Sequence, residues 1–150
     1  MFYADETGID KYVYRQNARA KRGVKIYSKI RGKKFERLSI AAAKCGSKIV
    51  APLVYNGTAD SAFYEHWFER YLCPEIAGNI VVIDNASIHR KEKLIEIAAR
   101  FDVILLFQPP YSPDLNKIEK FWAWLKKKLR SILKNFGSLL DAVCYCFQVE

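Results

Sequence analysis

The apolar residues of this chain fall into short runs and alternating stretches that predict five strands. Those stretches are MFYAD ending at Asp5, ERLSIAAAKC, SKIVAPLVYN, NIVVID and DVILLF. The second and third are separated by the turn signal Gly46-Ser47, so we expect them to pair antiparallel. The last two are continuous apolar runs, typical of strands in a parallel sheet that is covered on both faces.

Helical spacing of the remaining apolar residues predicts the covering helices. A first helix, capped by Thr58 or Asp60 and running to about Leu72, carries an aromatic core stripe: Phe63, Trp67, Phe68 and Tyr71. Further helices are expected from about Lys91 to Arg100 and from near Asn116, where a stripe from Ile118 to Leu133 must pack on the sheet. SLLDAVCYCF predicts a last, weaker helix. The fold class is therefore α/β, with a mixed five-stranded sheet and helices on its faces.

Length and composition indicate one folded domain. The chain has 150 residues, 51% of them hydrophobic, which suffices for a core without cross-links. No apolar run is long enough for a membrane span and no secretory signal opens the chain, so a cytoplasmic protein is expected. The four cysteines are too scattered for a zinc module, and we expect neither zinc nor a disulfide.

The positive charge is concentrated in one segment. Residues 11–37 hold eleven basic side chains against one acid, Glu36, while the whole chain has a net charge of +9. Interleaved tyrosines and glycines favour binding of this segment to nucleic-acid phosphates. The alternative is a solvated hairpin whose charges serve solubility.

Three acids lie where strands or helices are expected to begin or end: Asp5, Asp84 and Glu119. The 34 residues between Asp84 and Glu119 fit one helix and one strand. Carboxylates that converge from different elements suit two Mg²⁺ or Mn²⁺ ions about 4 Å apart, which activate an oxygen nucleophile and stabilise a leaving oxygen. This arrangement predicts phosphodiester chemistry.

Each acid also has a structural interpretation. Asp5 could simply end a strand, with Glu6 as the functional acid instead, and Asp84-Asn85 could be a turn that caps the next helix. Glu119 could close a capping box with Asn116. Asp114 is the nearest rival for the third acid.

Four sequence blocks together resemble a known family, the DDE-type transposases of bacterial insertion sequences in the mariner-like superfamily. The blocks are Ala4-Asp5-Glu6-Thr7-Gly8, Ala18-Arg19-Ala20-Lys21-Arg22-Gly23, Val82-Ile83-Asp84-Asn85-Ala86 with His89, and Pro109 to Asn116 with Ile118-Glu119 and Trp122. PPYSPDLN is the most specific of them. The resemblance implies a ribonuclease H-like fold and magnesium-dependent DNA cleavage and strand transfer, with Asp5, Asp84 and Glu119 at the metal-binding positions.

The resemblance also implies partners and further contacts. Double-stranded DNA, as element ends and target, would be contacted by Arg19, Lys21, Arg22, Asn85, His89 and Lys117, and a homodimer would assemble on it. His89 could equally be a surface residue at the start of a helix. Lys21 and Lys117 stand where the family usually has proline. Trp124 and the carboxyl-terminal segment are candidates for the dimer contact.

Family members carry helix-turn-helix domains ahead of the catalytic domain, whereas here Met1 stands four residues before Asp5. The expectation is therefore a catalytic domain alone: the second reading frame of a frameshifted element, an excised piece or a decayed remnant. Two other functions stay open. One is a ribonuclease H-like nuclease that only hydrolyses, and the other is a non-catalytic DNA-binding remnant.

Overall fold

A mixed five-stranded sheet forms the centre of the fold. The computed structural model describes residues 1–10, 37–109 and 112–148. The strands are β1 (Phe2–Asp10), β2 (Arg37–Cys45), β3 (Lys48–Asn56), β4 (Ile80–Ile83) and β5 (Ile104–Phe107), in the spatial order β3-β2-β1-β4-β5. β1, β2 and β3 pair antiparallel, while β1–β4 and β4–β5 pair parallel. The predicted mixed sheet of five strands is confirmed.

β1 is longer than its sequence suggests. The apolar pattern predicts an end at Asp5, but the backbone pairs with β2 from Tyr3 opposite Lys44 to Asp10 opposite Arg37. The polar side chains after Ala4 look like a loop in the sequence, yet ladder hydrogen bonds use only the backbone. Asp5 therefore lies inside a strand, where pairing holds its backbone in place.

The β2–β3 hairpin is confirmed at its predicted turn. Gly46 has a φ of +61°, a left-handed conformation that glycine adopts without the steric penalty of a side chain. The two strands pair from Cys45 opposite Lys48 to Leu38 opposite Asn56, with a shift of register between Ala41 and Ala43.

One face of the sheet is covered by the segment before β4 and by the helix after it. The helices are α1 (Ser61–Trp67), a π-helical turn (Phe68–Leu72), α2 (Cys73–Glu75) and α3 (Lys91–Arg100). The Asp60 carboxylate caps α1 by accepting a 2.8 Å hydrogen bond from the Phe63 amide. The expected aromatic stripe is wrong at Tyr71, which is 46% exposed, whereas Tyr64 is buried. The wide π-helical turn rotates Tyr71 off the stripe.

The other face is covered by α4 (Glu119–Ile132) and α5 (Leu139–Gln148). The predicted stripe of α4 is buried from Ile118 to Leu129, against residues of β1, β2 and α5 such as Ile40 and Val143. The helix begins three residues later than expected, since a 3₁₀ turn (Pro113–Leu115) and residues 116–118 precede it.

β5 is less buried than its apolar sequence predicts. It is the edge strand of the sheet, and on one side Ile104 and Leu106 are 58% and 43% exposed. Leu105 and Phe107 point the other way and pack against the core that α3 covers. Within the described residues, no helix is long and apolar enough to cross a membrane.

Candidate active site

Asp5 and Asp84 are brought side by side by the parallel pairing of β1 and β4. Tyr3 lies opposite Val82, and Asp5 and Asp84 each follow this pair by two residues, Asp84 directly after the end of β4. Ligands commonly bind at the carboxyl ends of parallel strands. Two carboxylates distant in sequence thus lie near the same end of two paired strands.

The third acid, Glu119, begins α4 at the same side of the sheet. α4 is attached to β1 by a hydrogen bond of 3.2 Å from the indole nitrogen Nε1 of Trp122 to Oδ2 of Asp5. Trp122 follows Glu119 by nearly one helical turn and its ring is buried. The contact therefore fixes the start of α4, and with it Glu119, relative to Asp5.

Electrostatics link the three acids. The pKa of Asp5 is raised from 3.8 to about 7, mainly by burial and in addition by the negative charges of Glu119 and Asp84, while hydrogen bonds from the Glu6 backbone and Trp122 oppose the rise. Like charges in a partly dry site disfavour ionisation. Such a set of carboxylates is stabilised in its charged form when a cation is bound between its members.

Asp84 is held by its own loop. Its Oδ1 atom accepts a hydrogen bond of 3.3 Å from the Ala86 amide and lies 2.9 Å from Nδ1 of His89. The hydrogen bond from His89 lowers the pKa of Asp84 despite its partial burial. The Asp84 side chain is 43% exposed, so the carboxylate remains accessible from solvent.

The helix-capping roles considered for Glu119 and Asp84 are not observed. No capping box forms, since Oδ1 of Asn116 accepts from the Ile118 amide at 3.4 Å and the residue that caps α4, Ile118, has no side-chain cap. Asp84 does form a turn with Ala86, but α3 begins after Arg90 and is not capped by it.

The rival acids occupy other positions. Glu6 points to the opposite face of β1 from Asp5, as alternation along a strand requires. Asp114 is exposed in the 3₁₀ turn, and the carboxylates whose charges act on Asp5 are Glu119 and Asp84.

The residues expected to contact DNA are only partly described. Arg19, Lys21 and Arg22 lie outside the described residues. Asn85 is exposed beside Asp84, and Lys117 is exposed with its ammonium 5.4 Å from the centre of the Tyr3 ring. His89 is buried, which contradicts a surface position and places it against Asp84 rather than at the outer surface.

Sequence reasoning misses two side chains that border the site. Trp122 is predicted only as part of the core stripe and of a family motif, and helical periodicity cannot reveal its hydrogen bond to Asp5. Tyr64 packs its ring against His89, with centroids 4.1 Å apart. Tyr64 lies one helical turn before Phe68, so helical spacing could have placed it in the buried stripe.

The donor chemistry of the site fits divalent metal ions, although the side chains stand apart. Asp5, Asp84 and Glu119 offer carboxylate oxygens, the ligands that Mg²⁺ and Mn²⁺ prefer. In the described part of the chain, no three His, Cys, Asp or Glu side chains are already grouped closely enough to hold one ion. Glu119 is exposed at the start of its helix, so a rotamer change can bring its carboxylate closer to those of Asp5 and Asp84.

The five-stranded sheet and its covering helices have a ribonuclease H-like fold. Several solved structures share the fold at low sequence identity. The Mos1 strand transfer complex has a TM-score of 0.65 and 18% identity over 98% of this chain and 45% of that chain. The mariner Mos1 paired end complex with Mg has a TM-score of 0.58 and 19% identity, covering 84% and 46%. The catalytic core domain of BIV integrase has a TM-score of 0.54 and 10% identity, covering 95% and 77%.

The family follows from the sequence itself. Residues 1–140 match the family model of the DDE superfamily endonucleases, and the chain belongs to this family. No curated protein matches the sequence significantly. The chain spans less than half the length of the Mos1 transposase chains it resembles, 41% in the paired-end complex with the left transposon end.

Proposed function

We propose that this chain is the catalytic domain of an insertion-sequence transposase, which cleaves DNA at the ends of the element and joins them to target DNA. The observation that carries the proposal is that the charges of Asp84, at the end of β4, and of Glu119, at the start of α4, both act on Asp5 in β1. Water attacks the scissile phosphorus and the 3′ oxygen leaves. The freed 3′ hydroxyl then attacks a phosphorus of the target strand and displaces its 3′ oxygen.

The three carboxylates would hold the metal. Asp5 and Asp84 would share two Mg²⁺ ions, with Mn²⁺ as a substitute, and Glu119 would complete the second site. When bound, these ions supply activation of the nucleophile and stabilisation of the leaving oxygen. Trp122 orients Asp5 through its hydrogen bond to Oδ2, and because Glu119 is the first residue of the same helix, this contact also positions Glu119. The family match and the Mos1 complexes with Mg and Mn support this assignment.

A basic helix face is suited to the DNA backbone. The exposed side of α4 carries Lys120, Lys127 and Arg130, and Lys126 and Lys128 flank it. The only acid in α4 is Glu119 itself. This face therefore leads away from the proposed metal site with a row of positive charges, which suits the phosphates of double-stranded DNA.

The proposed partners are two element ends, the target DNA and a second copy of the chain. Synapsis of two ends requires a dimer on DNA, and Trp124, which is 39% exposed, is our candidate for that contact together with α5. The activity would take place in the cytoplasm on nucleoid DNA.

The test is a two-step assay with labelled oligonucleotide duplexes and a plasmid target. Wild-type protein with Mg²⁺ or Mn²⁺ is expected to nick the duplex and to transfer the labelled 3′ end into the plasmid. Asp84→Asn and Glu119→Gln should abolish both products. Hydrolysis without transfer would indicate a nuclease that only cleaves.

Matched controls separate the acids from general effects of charge. Glu92→Gln removes an exposed glutamate from the first turn of α3, much as Glu119 lies in the first turn of α4, and should leave both products unchanged. Asp114→Asn should also retain activity, and loss of activity in this variant would reassign the third acid. Products that persist in Asp84→Asn would overturn the proposal.

A further inference from the structure

Glu6 lies behind the proposed metal site, on the opposite face of β1 from Asp5. Ala4 packs in the core under α1 and α3, whereas Tyr3 and Ile9 pack against the core under α4 and α5. Because side chains alternate along a strand, Glu6 shares the side of Ala4 and Asp5 shares the side of Ile9. Oε1 of Glu6 is buried and has no hydrogen-bond partner among the described residues.

His89 lies on this same side and contacts Asp84. Its Nδ1 is 2.9 Å from Oδ1 of Asp84 and 3.2 Å from the Asp84 backbone oxygen. Both neighbours are acceptors, so Nδ1 carries the proton and donates it. The His89 side chain is only 5% exposed, and its ring is 4.1 Å from that of Tyr64. The imidazole is thus held on one side by a carboxylate and on another by a buried aromatic ring.

Three buried polar atoms in this region have no hydrogen-bond partner among the described residues: Oε1 of Glu6, Nε2 of His89 and the Tyr64 hydroxyl. Buried polar atoms are almost always paired, so a group of them in one place requires an explanation other than apolar packing. The charge of Glu6 acts on both His89 and Tyr64. Glu6 therefore influences, through its charge when it is ionised, the ring that donates to Asp84.

The two oxygens of Asp84 are not equivalent in this arrangement. Oδ1 receives the Ala86 amide and His89, whereas Oδ2 has no donor among the described residues. The torsion that turns a carboxylate is soft, and hydrogen bonds on one oxygen select a single orientation. Metal chemistry requires ligands placed within about 0.5 Å, so such a restraint affects affinity directly.

We propose that His89 is a positioning residue that binds Oδ1 of Asp84 and presents Oδ2 to the metal, with the Tyr64 ring packed against the imidazole. This inference rests on the proposed function, because it assumes that Asp84 binds metal. Glu6, the rival acid of the sequence, would then act on the His89–Asp84 pair by its charge and not as a metal ligand.

The test measures metal binding without DNA, by the loss of the free Mn²⁺ signal in electron paramagnetic resonance. In His89→Asn, the amide nitrogen can take the place of Nδ1, whereas in His89→Gln it takes the place of Nε2. Removing a group that orients a metal ligand typically costs 10–100-fold in affinity. We expect a loss of about that size in His89→Gln and a clearly smaller loss in His89→Asn. Glu6→Gln should weaken binding severalfold, and it keeps the test valid should His89→Gln not fold.

The other histidine supplies the matched control. His66 is exposed on α1, and His66→Gln should bind Mn²⁺ as the wild type does. In a Mg²⁺ titration followed by NMR, ring signals of His89 should shift while those of His66 stay constant.

Two results would overturn the inference in distinguishable ways. If wild type binds Mn²⁺ and Asp84→Asn does not, but folded His89→Gln binds as tightly as wild type, the positioning role fails and the metal site stands. If wild type binds no better than Asp84→Asn, the metal site itself fails, and the role of His89 fails with it.

Discussion

Trp122 donates a hydrogen bond to the carboxylate of Asp5 across 117 residues of chain, and this contact joins the helix that carries Glu119 to the strand that carries Asp5. Without it, the two acids would be related only by the packing of α4 on the sheet. A side chain of the core thereby sets the distance between two proposed metal ligands.

Trp122→Phe should separate orientation of the site from packing of the core. The phenyl ring keeps much of the buried apolar area but has no donor, so the free energy of unfolding should fall by about 1 kcal/mol. Without the restraint on Asp5, DNA cleavage should slow about tenfold, equivalent to about 1.4 kcal/mol. Urea unfolding and single-turnover cleavage measure the two effects. Trp67→Phe is the control, because it removes another buried indole, which donates to the Ala51 backbone oxygen on the other face of the sheet. It should lower the free energy of unfolding similarly without slowing cleavage, and equally slow cleavage by Trp67→Phe would contradict this interpretation.

The metal-free protein should lose stability as the pH rises. Asp5 has its pKa raised from 3.8 to about 7, and burial raises that of Glu6 from 4.5 to about 7, so folding favours their protonated forms. This stabilisation is complete below about pH 4 and is lost as the pH passes 7, a change on the order of a few kcal/mol. Melting temperatures in a chelating buffer across this pH range test it.

Asp5→Asn is the control for that pH dependence. The amide cannot ionise, so the variant should be more stable than wild type above the raised pKa in the absence of metal and should show a shallower fall with pH. Added Mg²⁺ should raise the melting temperature of wild type and leave that of Asp5→Asn nearly unchanged. A wild-type melting temperature that does not change with pH would contradict the raised pKa values.

DNA binding should depend on the exposed face of α4. Replacing Lys120 and Lys127 together by glutamine should make the plot of log Kobs against log salt less steep, by about 0.9 for each phosphate that is no longer neutralised. Binding to a random duplex, followed by fluorescence anisotropy, measures the slope. Lys93→Gln changes an exposed lysine on α3, across the sheet from α4, and should leave the slope as in wild type. Equal slopes in the wild type and both variants would show that this face does not bind DNA.

Leu125→Ala should test how strongly α4 is anchored. Leu125 is fully buried between the sheet and α5, and truncation of such a side chain typically costs about 2–5 kcal/mol. Ile104→Ala removes a branched side chain that is 58% exposed on the edge strand and should cost well under half as much. Chemical denaturation of both variants gives the comparison, and equal effects would show that the Ile104 side is covered in solution.

Much of the fold could be predicted because its signals are local. α3 has the predicted bounds, Lys91–Arg100, since apolar residues at helical spacing lie between a turn and a strand. The β2–β3 hairpin followed from Gly46 and two β-rich segments. By contrast, β1 continues beyond Asp5 only because β2 pairs with it. One side of β5 is exposed because the core under α4 and α5 does not extend to Ile104 and Leu106. The length of β1 and the exposure of β5 therefore depend on residues that are distant in sequence, which a single segment does not reveal.

For the candidate site too, local sequence signals suggest some features and long-range contacts determine the others. The three acids could be proposed from the sequence because each stands at the border of an apolar run or helix, where carboxylates need an explanation. The contacts around these acids could not be predicted, because Trp122 and Tyr64 look like ordinary core residues in the sequence. The hydrogen bond from Trp122 to Asp5 and the packing of Tyr64 on His89 exist only once distant elements are packed together.

Asp5 and Glu6 are adjacent in sequence but serve opposite sides of one strand. A one-residue insertion or deletion that slips β1 against β2 would exchange them, turning the longer glutamate toward Trp122 and the aspartate toward His89. Hydrophobicity and net charge would hardly change, and the site would be destroyed. Tolerance to length changes in β1 should therefore be far lower than tolerance to substitution, a property that a library of insertions would reveal as a sharp gap in function around these two residues.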